Sequence, residues 1–232
     1  MKNTLLALAV ASALAPLLAH ADAGDWVVRA RVVDVAPDTS SELGKTVNAN
    51  VGHGATVMSP GAELQIDSNV IPEVDVSYYF TKNIAAELIL AIGTRHDVSI
   101  KGDSLTTVGN QPLGSVNALP PTLTLQWHFN PDQTIDPYVG AGINYTAMLD
   151  RKLQFSSGAL AGTDIKIDNN TLGYALQAGV DVNLKDGWLI NADVKYVDMN
   201  TDVKMNNGGT WTKIDSLGIN PWLFGVGIGK RF

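Results

Sequence analysis

Between Leu119 and Thr146 the chain reads LPPTLTLQWHFNPDQTIDPYVGAGINYT, two runs of alternating side chains joined by a polar turn. In the first run Leu123, Leu125, Trp127 and Phe129 share one face, and Thr122, Thr124, Gln126 and His128 share the other. A side-chain period of two belongs to a strand, not a helix. The second run sets Val139, Ala141, Ile143 and Tyr145 against Tyr138, Gly140, Gly142, Asn144 and Thr146. Asn130–Thr134 makes the turn, with Pro131 stopping the first run. Such a hairpin has one apolar face, which must meet either a protein core or lipid. The rest of the chain decides which.

The same period recurs throughout. Gly24–Ala36 puts Trp26, Val28, Ala30 and Val32 opposite Val27, Arg29, Arg31 and Val33. The next runs oppose Val74, Val76, Tyr78 and Phe80 to Glu73, Asp75, Ser77 and Tyr79, then Leu88 and Leu90 to Glu87 and Ile89. Two later runs carry Asp181, Asp193 and Lys195 on their mixed face. The last sets Trp222, Phe224, Val226, Ile228 and Phe232 against Gly225, Gly227, Gly229 and Arg231. With the hairpin's two, eight strands are expected. Short turns at Thr81–Asn83, Asn130–Thr134 and Lys185–Gly187 alternate with longer stretches expected as loops. These are Pro37–Pro60, Lys101–Leu119, Ser156–Asp164 and one around Asn206–Thr210. Short turns at one end and long loops at the other are the outer-membrane barrel pattern, the short turns being periplasmic. Aromatic residues crowd the short-turn ends at Tyr78, Phe80, Trp127, Phe129 and Trp188, as a membrane interface would have them.

Composition and the N-terminus agree. Only 17% of the 232 residues are charged, against about 25% in ordinary soluble domains. A net charge of −7 and no basic stripe argue against nucleic acid as a partner. Residues 1–21 combine Lys2, an apolar run from Leu5 to Ala19 and the triplet Ala19-His20-Ala21, the layout of a cleaved secretory signal peptide. Ala21-Asp22-Ala23 offers a second cleavage point. A single barrel domain over residues 22–232 is then expected. No later apolar run approaches the ~18 residues of a membrane helix, and without cysteine no lipid anchor can form at the cleavage site. The competing architecture is an exported lipocalin-like barrel, apolar inside and wet outside. Long strands, one-sided loops and a terminal phenylalanine favour the inverse. That is an all-β, eight-stranded antiparallel transmembrane barrel of the bacterial outer membrane, apolar face towards lipid.

LPPTLTLQWHF followed by PYVGAGINYT resembles the signature of the outer-membrane protein W (OmpW) family. Collinear pieces support the likeness at Trp26–Arg31, Thr81–Leu88, Gln177–Val182, Asp186–Tyr196 and Asn220–Phe224. The resemblance implies an eight-stranded barrel with a narrow, largely apolar lumen. It implies passive passage of small hydrophobic solutes and their sideways release into the bilayer. Outer-membrane lipid, lipopolysaccharide and the barrel-assembly machinery are the implied partners. A lumenal constriction is implied at Ile89 and at position 195, where the family carries an aromatic residue and this chain has Lys195. An assembly signal is implied at the C-terminus, carried here by Gly227 and Phe232. Lys230 stands there in place of the usual apolar residue, and an outward lysine near the interface costs only ~0–1 kcal/mol.

Pro120 and Pro121 cannot donate to a β-ladder. Strand initiation after a loop accounts for such a pair. So would a lateral opening, because open backbone in lipid is costly except at a rim or an exit. A transport path is therefore expected along Ile89, Lys195, Pro120 and Pro121. Arg29, Arg31, Glu73, Asp75, Glu87, Asp181, Asp193 and Arg231, with Lys195, are expected to face the lumen. Mixed charges in a narrow bore either pair and brace it or line a polar pathway. His53, His96 and His128 have no ligand-like spacing, so no metal and no cofactor is expected. Gly140-Ala141-Gly142 lacks the third glycine and the helix of a dinucleotide fingerprint, and no catalytic constellation stands out. The chain is expected not to be an enzyme. A surface-receptor barrel without transport and an outer-membrane barrel enzyme are the alternatives.

Overall fold

The computed structural model describes residues 22–232 apart from Ile92, Gly93, Arg151 and Lys152; the signal peptide expected over residues 1–21 lies outside them. The described elements are, in chain order, β1 (Trp26–Ala36), α1 (Leu43–Asn50), β2 (Glu63–Ile66), β3 (Asn69–Tyr79), β4 (Ile84–Ala91), β5 (Thr94–Lys101), β6 (Gln111–Leu119) and β7 (Thr122–His128). There follow β8 (Ile135–Asp150), β9 (Leu153–Gln154), β10 (Asp164–Ile167), β11 (Asn170–Asn183), β12 (Trp188–Val197), β13 (Asn200–Asn207), β14 (Thr210–Gly218) and β15 (Trp222–Arg231).

Eight of these strands, β1, β3, β4, β7, β8, β11, β12 and β15, close into a ring of antiparallel neighbours. The ring shuts where β1 meets β15, in register from Val27↔Arg231 to Ala36↔Trp222. The expected fold class is the observed one. Strict alternation makes this possible: β1 is exposed and buried at successive residues along almost its whole length. The three short turns share one end of the barrel with both described chain ends, where Phe232 N donates to Trp26 O at 2.8 Å.

The outside carries two aromatic belts. Near the short turns Trp26, Tyr78 and Phe80 pack in series, with ring centroids 4.9 and 5.2 Å apart. Towards the other end Tyr174, Tyr196 and Trp222 do the same at 6.1 and 5.2 Å. Between the belts Leu125, Ile143, Leu176, Val226 and Ile228 stand exposed. An apolar band between aromatic girdles is the surface a bilayer covers. No described helix is long and apolar enough to cross a membrane; here the strands cross.

Two stretches expected as loops carry regular structure instead, and the loop expected around Asn206–Thr210 is the tight turn of a hairpin. α1 lies within Pro37–Pro60, β6 within Lys101–Leu119, and β13 and β14 form a hairpin around Gly208-Gly209. The remaining short strands extend the ring beyond the second belt into an outer lobe. Its core is built by Leu64, Ile100, Phe155, Ile165, Met205 and Ile214, with Leu43 and Val47 of α1 packed in. Out there the outward face turns to Arg95, Asp97 and Lys101. These strands lack the lipid-facing half of the alternation, so their sequences look like polar loops.

Candidate functional site: the interior of the barrel

Moving along the bore from the short-turn end, three layers succeed one another. The first holds Tyr79, His128, Asp136 and Arg231, all buried. His128 Nδ1 donates to Asp136 Oδ2 at 2.7 Å, and the Tyr79 hydroxyl lies 3.1 Å from His128 Nε2. His128, Asp136 and Asp181 stand close enough together to hold an ion, a proximity that their spacing in sequence conceals. Each donor already has a protein partner, however, since Asp181 is held by Arg29 and Asp136 also accepts from Asn130 N. Hydrogen bonding accounts for the cluster.

The second layer is ionic. Arg29 reaches Asp75 at 3.0 Å, Glu87 at 3.4 Å and Asp181 at 2.6 Å. Arg31 reaches Glu73 at 2.8 Å, Asp75 at 3.0 Å, Glu87 at 3.5 Å and Asp193 at 3.0 Å. Lys195 joins Glu73 at 3.3 Å and Asp193 at 2.9 Å. Five carboxylates and three cations thus fill one cross-section, drawn from β1, β3, β4, β11 and β12. Gln177, on β11, stitches the layer further, donating to Glu87 and Asp193. Buried charges are tolerable only when paired and hydrogen-bonded in this way. Arg231 faces the same bore but belongs to the layer beneath, its guanidinium 5.2 Å from the Tyr79 ring and, among the described residues, without a carboxylate partner. It stands apart from the other eight charges.

The third layer is apolar. Val33, Val35, Ile71 and Ala91 cluster above the ions, with Leu223 against them. Val35, Ile71, Ala91 and Leu223 border a hollow of about 80 Å³, whose floor includes Ile89, Glu73 and Lys195 and whose wall includes Pro120, Ala118 and Met148. The four residues expected along a path therefore divide: Ile89, Lys195 and Pro120 line the hollow, while Pro121 lies just beside it, its carbonyl accepting from Tyr145 N at 3.0 Å. The bore is polar below and apolar above, rather than largely apolar throughout. This two-part filling was hidden in the sequence because alternation tells inside from outside but says nothing about which inward side chains share a height.

Beside Pro120 and Pro121 the wall is incompletely paired among the described residues, Leu90 and Ala91 making no ladder with β7. β4 and β7 pair as far as Ile89↔Thr122, and pairing resumes between β5 and β6 at Thr94↔Ala118. In between, the Thr94 hydroxyl bonds to the Ala118 carbonyl. At the opposite end Lys230 points outward, its ammonium 5.3 Å from the Trp188 ring and bonded to the Asp186 carbonyl. Phe232 is exposed beside Trp26, and Gly227 faces Arg31.

Known proteins place this geometry. The OmpW family model matches residues 22–232. Outer membrane protein W of Vibrio cholerae is 35% identical over the full length of both chains. Outer membrane protein AlkL of Ectopseudomonas oleovorans is 30% identical over 90% of this chain and 83% of its own. The crystal structure of OprG from Pseudomonas aeruginosa superposes with a TM-score of 0.75 at 29% identity, covering 91% of this chain and 97% of that one. An eight-stranded ring, two aromatic belts and matches along the whole described barrel give one conclusion: the chain is an outer-membrane barrel and belongs to the OmpW family.

Proposed function

We propose that this barrel passes small hydrophobic molecules from the cell exterior into the hydrocarbon of the outer membrane. The hollow receives them and the break beside Pro120 and Pro121 releases them sideways. The observation that carries this reading is the position of the hollow, directly above the ionic layer. An apolar solute that reaches the hollow would have to displace buried ion pairs to go further down, at a cost of several kcal/mol or more. Through the wall it meets lipid. In this reading the barrel moves solutes and performs no chemistry on them. Outer-membrane lipid, including lipopolysaccharide, covers the apolar band, and Gly227 and Phe232 serve recognition by the barrel-assembly machinery.

Uptake of an alkane-like solute, by cells or liposomes with and without the protein, tests the proposal. Pro120→Ala should reduce uptake at unchanged surface expression, because residue 120 turns its backbone to the break, unlike Pro121, and a restored N–H lets the strands pair there. Equal uptake by the variant would remove the sideways exit at this break. No uptake by the natural protein above the empty membrane would remove the transport function and leave a receptor barrel.

A further inference from the structure

Above the hollow lies a second, smaller cavity of about 20 Å³ in the core of the outer lobe, walled by Leu64, Leu153, Ile165, Val203 and Leu217. Among the described residues, Ile66, Val116, Met148 and Ile219 line both spaces and so form the partition between them. Three of the four are β-branched, which restricts χ1 and leaves the side chain stiff. Met148 is the exception, unbranched and with a polarizable thioether that fits irregular gaps. Its backbone is held on both flanks. Met148 N donates to Asn169 O at 2.8 Å, and on the other side the residue is in register with Ala118. What can give way in this partition is the Met148 side chain.

The sizes make such movement necessary. Dry apolar cavities that take up benzene measure about 150 Å³, whereas the hollow has about 80 Å³ and the upper cavity about 20 Å³. Neither space, nor both together, accommodates a solute of that size while the side chains stand as they do. The methionines after Met1, which are Met58, Met148, Met199 and Met205, are all buried in the apolar interior that contains these two spaces. Of these four, Met148 alone reaches both spaces, and Met199 lines only the hollow.

We propose that Met148 is the compliant part of this partition and sets the girth of the solutes that reach the hollow from the lobe. Turning its thioether up into the small cavity enlarges the hollow, and turning it down lengthens the space above. Alternation between the two hands a solute downward without disturbing the ladder. A slender chain needs only a small displacement of the thioether, whereas a compact, bulky hydrocarbon needs the full swing. The solute class that fits is therefore thin, flexible hydrocarbon. The inference rests on the hydrophobic-passage reading, whose own failure shows separately as no uptake of octane by the natural protein.

Passage of octane and of adamantane into liposomes carrying the refolded barrel is the readout, with heat-modifiable electrophoretic mobility as the check on folding. Met148→Ile keeps a similar volume but adds the branch. It should slow adamantane about three- to tenfold more than octane, the effect of driving a branched side chain off its rotamer. Met148→Ala leaves space where the thioether stood and should pass adamantane about threefold faster than the natural protein, or more. Met199→Ile, the same change on the wall of the hollow alone, should leave the ratio of the two rates as it is. An unchanged ratio in folded Met148→Ile, no gain for adamantane in folded Met148→Ala, or an equal shift in Met199→Ile would overturn this role of Met148.

Discussion

Arg31 sits where four carboxylates converge, Glu73 at 2.8 Å, Asp75 and Asp193 at 3.0 Å each and Glu87 at 3.5 Å. It reaches them by lying across β15, where a Cβ at Gly227 would strike the Ala30 carbonyl and the Arg31 side chain itself. The glycines alternating along β15 leave room for the two arginines of β1. Lys195 is explained on the same scale. It stands between Glu73 and Asp193, so a cation there neutralises two buried acids that an aromatic ring could not. Arg31→Met should expose the cost of this arrangement, because removing one partner from a buried ionic network strands the others at about 3–5 kcal/mol. Urea unfolding of the barrel in detergent, followed by tryptophan fluorescence, should show a clearly lower midpoint. Lys82→Ala, which breaks the exposed pair with Asp132, should move it far less. A midpoint for Arg31→Met equal to the natural protein's would mean that the network does not brace the bore.

Among the elements, the ring strands were legible and the outer lobe was not. β1, β7, β8 and β15 alternate between lipid and lumen, two solvents different enough to print a period of two on the sequence. β6 and β13 alternate between a small core and water, with Gly114, Ser115 or Asn206 among them, and resemble loops. α1 has no side-chain cap and only Leu43, Gly44 and Val47 buried, too little to announce a helix. Two carboxylates fasten the Pro37–Pro60 stretch that contains it. Asp215 accepts from Ser41 Oγ and Glu42 N, and Asp103 accepts from Ser59 N, Leu105 N and Gly109 N. Burial pushes the Asp103 carboxyl up, but the three backbone donors outweigh it and hold it below the ordinary carboxylate range. With the folded value below the unfolded one of ~3.9, this fastening is complete above that pH and fades as pH falls through the lowered value. Asp103→Asn should mimic the acid state at neutral pH. Amide exchange at Ser59 and Gly109 should accelerate by about tenfold or more, the loss of a charged acceptor, while Glu42 changes little. Equal acceleration at Glu42 would show that the two fastenings are not independent.

For the whole molecule, the stacking of layers matters more than any one of them. That charged residues face inward could be read from β1, β3 and β12 separately. That Arg29 meets Asp181 and Arg31 meets Asp193 could not, because contacts across a barrel depend on closure and stagger, which no single strand encodes. Closure at eight strands leaves an interior just wide enough for side chains to fill. Here Arg29, Glu87 and Asp181 fill it with relative exposures of 0%. A water-filled pore needs the opposite, a lining that stays apart. The molecule is therefore a cup, with an apolar hollow above an ionic floor. Such a floor should pass no ions although it is made of charge, since each group is already held by others and a permeating ion would have to break those bonds. In planar bilayers the purified barrel should show no steady ohmic step. Arg29→Ser/Asp181→Ser, which removes one cation and one facing carboxylate together and leaves Asp75 and Glu87 to Arg31, should introduce one. A conducting natural protein, or a double variant that stays silent while folded, would mean that the ionic layer is not what closes the bore.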